Sequence, residues 1–428
     1  MLERAVSRRR FLRTATAAAA APLIVPARAL GGEGKTPPSE QIGLGVIGYG
    51  NRCRRVLGHF MLFDEVRPLA VSDCKAKQRQ ACKARVDKHH GNKDCQTFPD
   101  FREMLARPEI DACLIATGDR WHSMASIYAA RAGKDMYCEK PISLTIEEGR
   151  AMAETMKRFG TVYQAGHQRR SVDSYRFQNE MVRSQRIGKL HTIICRVWAG
   201  PVLKPHPSRP VPKGFDYDTW LGPTPWHPYN PVRVRGWNWF WDTGSGVTAN
   251  MGCHYTDLAQ WGHASDDTGP VTFDGRGRFD PNAFSDTPVT AETTCTYADG
   301  VKILIQSQGA FADRFIRFVG TEGWVQVDDH TNVVTAEPAS LLRHRSIAAR
   351  SWAHTGGHIR NFLDCVRSRE PTVCTPESAH RATTICHAAN LSIRLGRTLH
   401  WDPQAERFRD DPEANQMISR ATRAPWTL

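Results

Sequence analysis

The stretch Ile42-Gly43-Leu44-Gly45-Val46-Ile47-Gly48-Tyr49-Gly50-Asn51-Arg52-Cys53 limits the fold more than any other part of the chain. Its apolar run reads as a buried strand, its glycines as a turn, and the residues from about Arg52 as the start of a helix. Backbone amides at a helix start point into the preceding turn, and the helix dipole favours an anion there. The usual anion in this setting is a dinucleotide pyrophosphate. The letters G-x-G-x-x-G occur at Gly43, Gly45 and Gly48, but that match puts the turn inside the apolar run. The register that leaves the strand intact is one step on, at Gly48 and Gly50. Cys53 is then the small third residue that lets helix and strand pack closely.

A chain of 428 residues is too long for one ordinary core, so two domains are expected. From Ile42 apolar strands (66–73, 110–117, 135–139, 162–166) alternate with helical stretches (101–105, 123–132, 146–158). That alternation demands a parallel sheet with helices on both faces, a doubly wound α/β domain over residues 41–167. The rhythm then changes. A strand at 190–199 precedes a stretch from Pro201 to Gly246 rich in Pro, Trp and Gly with no period. Two hairpins follow, one turning at Asp299-Gly300 and one around Thr321-Glu322-Gly323, so residues 168–428 are expected to hold an open, mainly antiparallel sheet. Helices over about 358–368 and 377–395 close the chain and are expected to pack back on it.

The N-terminus reads as a targeting segment. Ser7-Arg8-Arg9-Arg10-Phe11-Leu12-Arg13 matches the twin-arginine export pattern, an apolar small-residue stretch runs from Ala15 to Val25, and Ala27-Arg28-Ala29 is a cleavage site. A signal peptide over 1–29 and a linker over 30–40 follow from this, with a periplasmic or secreted destination. The net charge is +13 (57 basic against 44 acidic residues), and six arginines against Glu3 place +5 of it in residues 1–29. The remaining basic residues are scattered, as on a solvated surface, which argues against a nucleic-acid partner. No later apolar run is long enough to span a bilayer. Of twelve cysteines, Cys113, Cys138, Cys195 and Cys295 fall inside apolar strand-like runs and no C-x-x-C occurs, so buried thiols are expected. Cys74 with Cys82, or Cys365 with Cys374, are the pairs to consider for a bridge.

Three constellations carry chemistry. Asp73 ends the second strand 25 residues after Gly48, where an acid accepts ribose hydroxyls and repels a 2′-phosphate; Lys75 nearby softens that exclusion, so NAD is preferred with NADP as the alternative. Glu139-Lys140-Pro141 sits at the carboxyl end of a parallel strand, where ligands bind in such sheets. Asn250, His254 and Asp257 share one face of a helix by i, i+4 and i, i+3 spacing. A histidine there serves as a general base, as part of a His–Asp metal pair, or as a core residue, and the spacing leaves all three open. The run from Trp220 to Trp241, with Trp226, Tyr229, Arg233 and Arg235, offers aromatic faces and polar neighbours suited to a sugar; read as a strand, Trp237, Trp239 and Trp241 would instead share one packed face.

With these motifs in this order, the chain resembles the Gfo/Idh/MocA family of NAD(P)-dependent oxidoreductases, and more closely its exported branch. The resemblance rests on Val46–Arg52, Ala116-Thr117…His122, Glu139-Lys140-Pro141, Gly166–Arg170, Trp220–Pro223, Gly252-x-His254-x-x-Asp257 and His358–Phe362. It implies a Rossmann domain followed by an α/β domain whose open sheet often joins protomers into a dimer or tetramer. It implies a cofactor along Gly48, Gly50, Asn51, Arg52, Asp73, Thr117, His122, Glu139 and Gln168, with Lys140 and His254 as the catalytic pair and no metal. His167, Arg169, Trp226, Tyr229, Arg233, Asn250, Asp257 and His358 are expected on the substrate side. Many family members carry Asp at the position of Asn250; an amide holds no negative charge and cannot raise the basicity of His254.

Export has a consequence for function. Outside the cytoplasm no nicotinamide pool recharges a released cofactor, so the cofactor is expected to stay tightly bound and to be restored within each cycle. The expected function is oxidation of a carbohydrate or polyol hydroxyl. The alternatives are a redox-neutral glycoside hydrolase, working by oxidation, elimination, hydration and reduction, and a non-catalytic binding protein on the same fold.

Overall fold

The computed structural model describes residues 36–343 and 354–427; the expected signal peptide lies outside them, as does the linker up to residue 35. A six-stranded sheet comes first, built from β1 (Ile42–Ile47), β2 (Val66–Ser72), β3 (Gln96–Phe98), β4 (Ala112–Ile115), β5 (Asp135–Cys138) and β6 (Tyr163–Ala165). Its order is β3-β2-β1-β4-β5-β6 and every pairing is parallel. The order reverses between β1 and β4, and ligands bind at such a switch point, beyond the carboxyl ends of the strands. β1, β4 and β5 are buried along their whole length, as a sheet covered on both faces requires.

The second sheet has nine strands: β7 (Leu190–Val197), β8 (Thr272–Arg278), β9 (Thr290–Thr296), β10 (Lys302–Ser307), β11 (Phe315–Gly320), β12 (Gly323–Asp328), β13 (Val334–Glu337), β14 (Leu399–Asp402) and β15 (Arg407–Phe408). The order is β13-β12-β11-β7-β10-β9-β8-β14-β15, antiparallel except where β7 lies parallel to β10. Both expected hairpins are present. Alternation fixes the faces: Ile193, Cys195, Ile303, Ile305, Ile316 and Phe318 point into the core. Ile194, Leu304, Val319 and Trp324, at alternate positions, are only partly covered.

Helices from the end of the chain lie across the first domain. Ile359, Phe362 and Leu363 of the His354–Ser368 helix pack into one cluster with Val56, Leu57 and Phe60 of the Asn51–Phe60 helix. The Pro376–Leu395 helix packs on the Ile146–Phe159 and Gly252–His263 helices. Arg150 then joins Glu377 and Glu406 across this seam. No disulfide forms among the described residues: all twelve cysteines are free, and the pairs Cys74–Cys82 and Cys365–Cys374 are corrected. The sulfurs face other groups, Cys365 Sγ the carbonyl of Pro371 and Cys374 Sγ the Asp257 carboxylate. No helix among the described residues is long and apolar enough to cross a membrane.

Phe362 is fully buried, edge-on to Phe60 and Tyr137. Phe362→Ala is expected to cost about 3–5 kcal/mol, read from the urea midpoint; a loss below about 1 kcal/mol would mean that the terminal helix is not part of the first domain's core.

Candidate active site

β1 ends in a turn only glycine can make. Gly48 has φ +82°, and a Cβ there would stand 2.8 Å from Thr117 Cγ2. Gly50 precedes the Asn51–Phe60 helix, and nothing lies within 4 Å of where its Cβ would be. No side chain caps this helix, and Gly48, Tyr49 and Gly50 line a cleft at its start. By contrast Gly43 and Gly45 lie within β1, where a Cβ would meet Glu109 O at 2.0 Å and Met104 Cε at 2.9 Å. The loop register at Gly48 and Gly50 therefore has a physical basis, and the literal match does not. An open cradle on uncapped amides fits a dinucleotide pyrophosphate.

Asp73 follows β2 and braces this loop. Its Oδ2 accepts from the Tyr49 amide at 2.7 Å and its Oδ1 from the Lys75 amide at 2.8 Å. Each oxygen keeps a lone pair for a ribose hydroxyl. Lys75 Nζ sits 4.6 Å above the Phe215 ring. The cleft around Gly48, Gly50, Asp73 and Thr117 continues to Arg120, Trp121, Trp220 and Trp237.

Glu139, directly after β5, is buried and ties three parts of the site together. Arg52 Nε donates to its Oε1 at 2.8 Å; Gln168 Nε2 donates to the same oxygen at 2.9 Å and to the Tyr137 hydroxyl oxygen at 2.6 Å. Burial works against the Glu139 charge, but Arg52 and Lys140 outweigh it and hold the carboxyl below its ordinary range. His122 Nδ1 donates to Pro141 O at 2.6 Å, which leaves Nε2 as the bare acceptor, and burial pushes the ring down to about 4.

An inner cavity lies between the glycine-loop helix and the second domain. Arg52, Thr117, Asp119, His122, Glu139, Lys140, Trp237, Asn238 and Asn250 line it. The Lys140–Pro141 bond is cis, and Lys140 Nζ donates to the main-chain carbonyl of Asn250. That contact is indifferent to whether residue 250 is Asn or Asp. The expected single helix is broken at Met251: Asn250 ends the helix Gly246–Asn250, and His254 belongs to Gly252–His263. His254 is buried, with Nδ1 unpartnered, and meets the His167 ring edge-on at 5.5 Å; it is not among the residues that line the cavity. Burial, then Arg169 and Lys140, push His254 well below its ordinary value. Both nitrogens of His167 lack partners, and burial, then Arg170 and Lys140, bring it to about 3.

Six residues expected on the substrate side do not line this cavity: five are held by other side chains, and Trp226 is exposed. Asp257 is fully buried and holds Arg170 with both oxygens, at 3.0 and 2.9 Å. His358 bridges Ser171 Oγ at 2.7 Å and Ala165 O at 2.8 Å, a strut between β6 and the terminal helix. Arg169 pairs with Asp329, and Arg233 pairs with Asp242 while lying 4.4 Å above the Phe240 ring. Tyr229 packs with Phe215 and Tyr217, and Trp226 is 61 % exposed. His167, Asp257 and Cys374 bring donor atoms within 4.8 Å of one another, but the Arg170 guanidinium already neutralises that carboxylate. Missed from the sequence were Asp119, Arg120 and Asn238, while Trp237 belongs to the aromatic run expected to suit a sugar. Asp119 lies between the flagged Thr117 and His122, so its placement there was the available signal; Trp237 forms a 3-10 turn, not a strand.

Comparisons with known proteins bear on the family and the fold. Residues 42–167 match the model of an oxidoreductase family, NAD-binding Rossmann fold, and residues 195–428 match its C-terminal alpha/beta domain. The chain is 23 % identical over 365 residues to myo-inositol 2-dehydrogenase of Thermotoga maritima, covering 83 % of this chain and 97 % of that one. It is 24 % identical to scyllo-inositol 2-dehydrogenase (NAD(+)) of Bacillus subtilis, over 71 % of this chain and 81 % of the other. The fold also superposes on the WlbA dehydrogenase from Bordetella pertussis in complex with NADH and UDP-GlcNAcA, with a TM-score of 0.64, 17 % identity, and coverage of 85 % and 99 %.

Two outcomes are expected. Gly48→Val lowers dinucleotide affinity at least about tenfold in an NADH fluorescence titration, since a β-branched residue is strained at this φ. Asp257→Asn lowers stability by about 1–3 kcal/mol by taking one of two carboxylates from the buried Arg170 guanidinium, Asp266 keeping the other side of it, with little change in dinucleotide affinity. A variant of unchanged stability and lost turnover would return Asp257 to the substrate side.

Proposed function

This chain belongs to the Gfo/Idh/MocA family of oxidoreductases, and on that premise we propose that it oxidises a hydroxyl of a cyclic polyol or sugar with a retained NAD. One observation carries the reading: Arg52 of the helix that follows the glycine loop lines the same cavity as Lys140, together with Thr117 and Asn250. NAD held along Gly48, Gly50 and Asp73 supplies the hydride acceptor. Lys140 donates a hydrogen bond to the substrate hydroxyl in place of the Asn250 carbonyl, and so positions the carbon that loses hydride. Trp237 offers an aromatic face, and Asn238 and Asn250 offer amides, for ring C–H bonds and neighbouring hydroxyls. Glu139 keeps Arg52 and Gln168 in place and remains ionised, so it acts as a brace and takes no proton. The Asp73 carboxylate favours NAD over NADP, with Lys75 as the group that would admit the 2′-phosphate.

The twin-arginine pattern at residues 7–13 supports export to the periplasm or beyond, and with it a cofactor that stays bound between turnovers. It also favours, as a second reading, a redox-neutral glycosidase at the same site. The partly covered face bearing Ile194, Leu304, Val319 and Trp324 supports self-association through the nine-stranded sheet.

Purified protein is expected to release NAD on heating after exhaustive dialysis, and dinucleotide-free material would remove the retained-cofactor reading. A panel of inositols, free sugars and aryl glycosides separates the activities. Net NADH from a polyol or sugar supports oxidation, aryl alcohol without net NADH supports hydrolysis, and bound NAD without either supports a binding protein. Lys140→Ala should lower kcat/KM about 10³-fold; full turnover in that variant would move the chemistry away from this cavity.

A further inference from the structure

Resting on the reading of Lys140 as the group at the substrate oxygen, we infer that Asp119 is its proton partner, a carboxyl that receives through Lys140 the proton of the oxidised hydroxyl. Asp119 opens the Asp119–Arg131 helix and lines the inner cavity with Lys140 and Asn250. It is 1 % exposed, and its Oδ2 is buried with no hydrogen-bond partner. An acceptor left bare in a low-dielectric cavity costs free energy in the folded state, so its persistence in the cavity that Lys140 also lines points to use.

The other groups around the cavity do not compete for the proton. Glu139 is held ionised by Arg52 and Lys140. His122 binds Pro141 O, and burial keeps the ring neutral. Residue 250 is an amide, and His254 stands outside the lining. Arg120, the next residue, donates from Nε to Trp220 O at 2.7 Å and stacks on the Trp220 ring, with its Nη1 unpartnered. The Cys253 thiol also feels Asp119, and burial raises it well above its ordinary value. Burial drives Asp119 up, and Lys140, then Arg120 and a backbone hydrogen bond at Asp119 itself, oppose it, which leaves its carboxyl raised to about 7. A group poised there both takes and returns a proton at neutral pH.

The step balances. The hydroxyl O–H proton moves to Lys140 as Lys140 passes one of its own to Asp119; hydride leaves the same carbon for NAD, and the C–O bond becomes C=O. The alcohol is oxidised, the nicotinamide reduced, and one proton rests on Asp119 before reaching solvent.

Two measurements test this, and the first needs no substrate. In infrared difference spectra, wild type minus Asp119→Asn, one carboxyl is expected to titrate near neutrality and to titrate at higher pH in Lys140→Met, where the opposing cation is gone. A carboxyl that ignores Lys140→Met, or no neutral titration, would overturn the pairing whatever the substrate proves to be. In the same comparison the sign of the linkage is fixed. Burial favours protonated Asp119, so that stabilisation is present below the ordinary carboxylate range and is lost as pH rises through about 7. The Tm of Asp119→Asn should therefore gain on wild type between about pH 5 and about pH 8. The second measurement is the pH dependence of kcat/KM on the substrate found above. The inflection near neutrality should vanish in Asp119→Asn with a loss of about 10–100-fold, return in Asp119→Glu, and persist in His254→Ala, while NADH affinity stays within about threefold. An unchanged inflection in Asp119→Asn would assign the proton elsewhere. A panel with no turnover, beside a Lys140-sensitive carboxyl, would sink the proposed oxidation and leave the pairing standing.

Discussion

The site depends on the ion pair between Arg52 and the buried Glu139. Arg52 belongs to the helix that starts at the glycine loop, Glu139 to the end of β5, and Gln168 to the turn that leads into the second domain. A lone carboxylate at this depth would protonate or pull in water. Two donors on one oxygen keep it charged and, in doing so, fix three segments far apart in sequence relative to one another. Lys140 is the next residue, so its placement follows from that junction.

Around this junction the domains interlock rather than merely touch. His358 ties the His354–Ser368 helix to β6 and to Ser171, while Arg150 reaches Glu377 of the Pro376–Leu395 helix and Glu406 between β14 and β15. The parallel sheet thus completes its core only with residues from the far end of the chain, Ile359 and Phe362 among them. The cavity wall has the same origin: Trp237, Asn238 and Asn250 come from the second domain and face Arg52, His122 and Glu139 of the first.

Electrostatically the inner cavity is unequal. Arg52 and Lys140 bring positive charge, and the neighbouring histidines His122, His167 and His254 are kept neutral by burial, with Lys140 adding to it at each. An anionic dinucleotide is attracted into such a place. A proton leaving a hydroxyl is not, unless a carboxyl is waiting. Asp119 lines the same cavity as Lys140 and the neutral amide of Asn250.

The sequence by itself determined the two sheets and the glycine-loop register, because period-two and strand–helix alternation are local patterns and Gly48 needs a left-handed backbone. It missed the Ala76–His90 helix, which buries only Cys82 and Val86 and so shows no apolar stripe, and β8, where glycines at 275 and 277 mask the alternation. It also placed Asp73, Glu139 and Lys140, since strand ends are legible and sheets of this kind bind ligands there. What only the tertiary structure decided was which polar residues remain uncommitted. Asp257, Arg169 and His358 look like ligand groups in one dimension, but each is occupied by a partner distant in the chain, and Arg233 is occupied by Asp242. Asp119 looks like an ordinary residue at a helix start until burial takes away its water. Spacing along a chain reports which groups can share a face; only packing reports which of them are left without a partner.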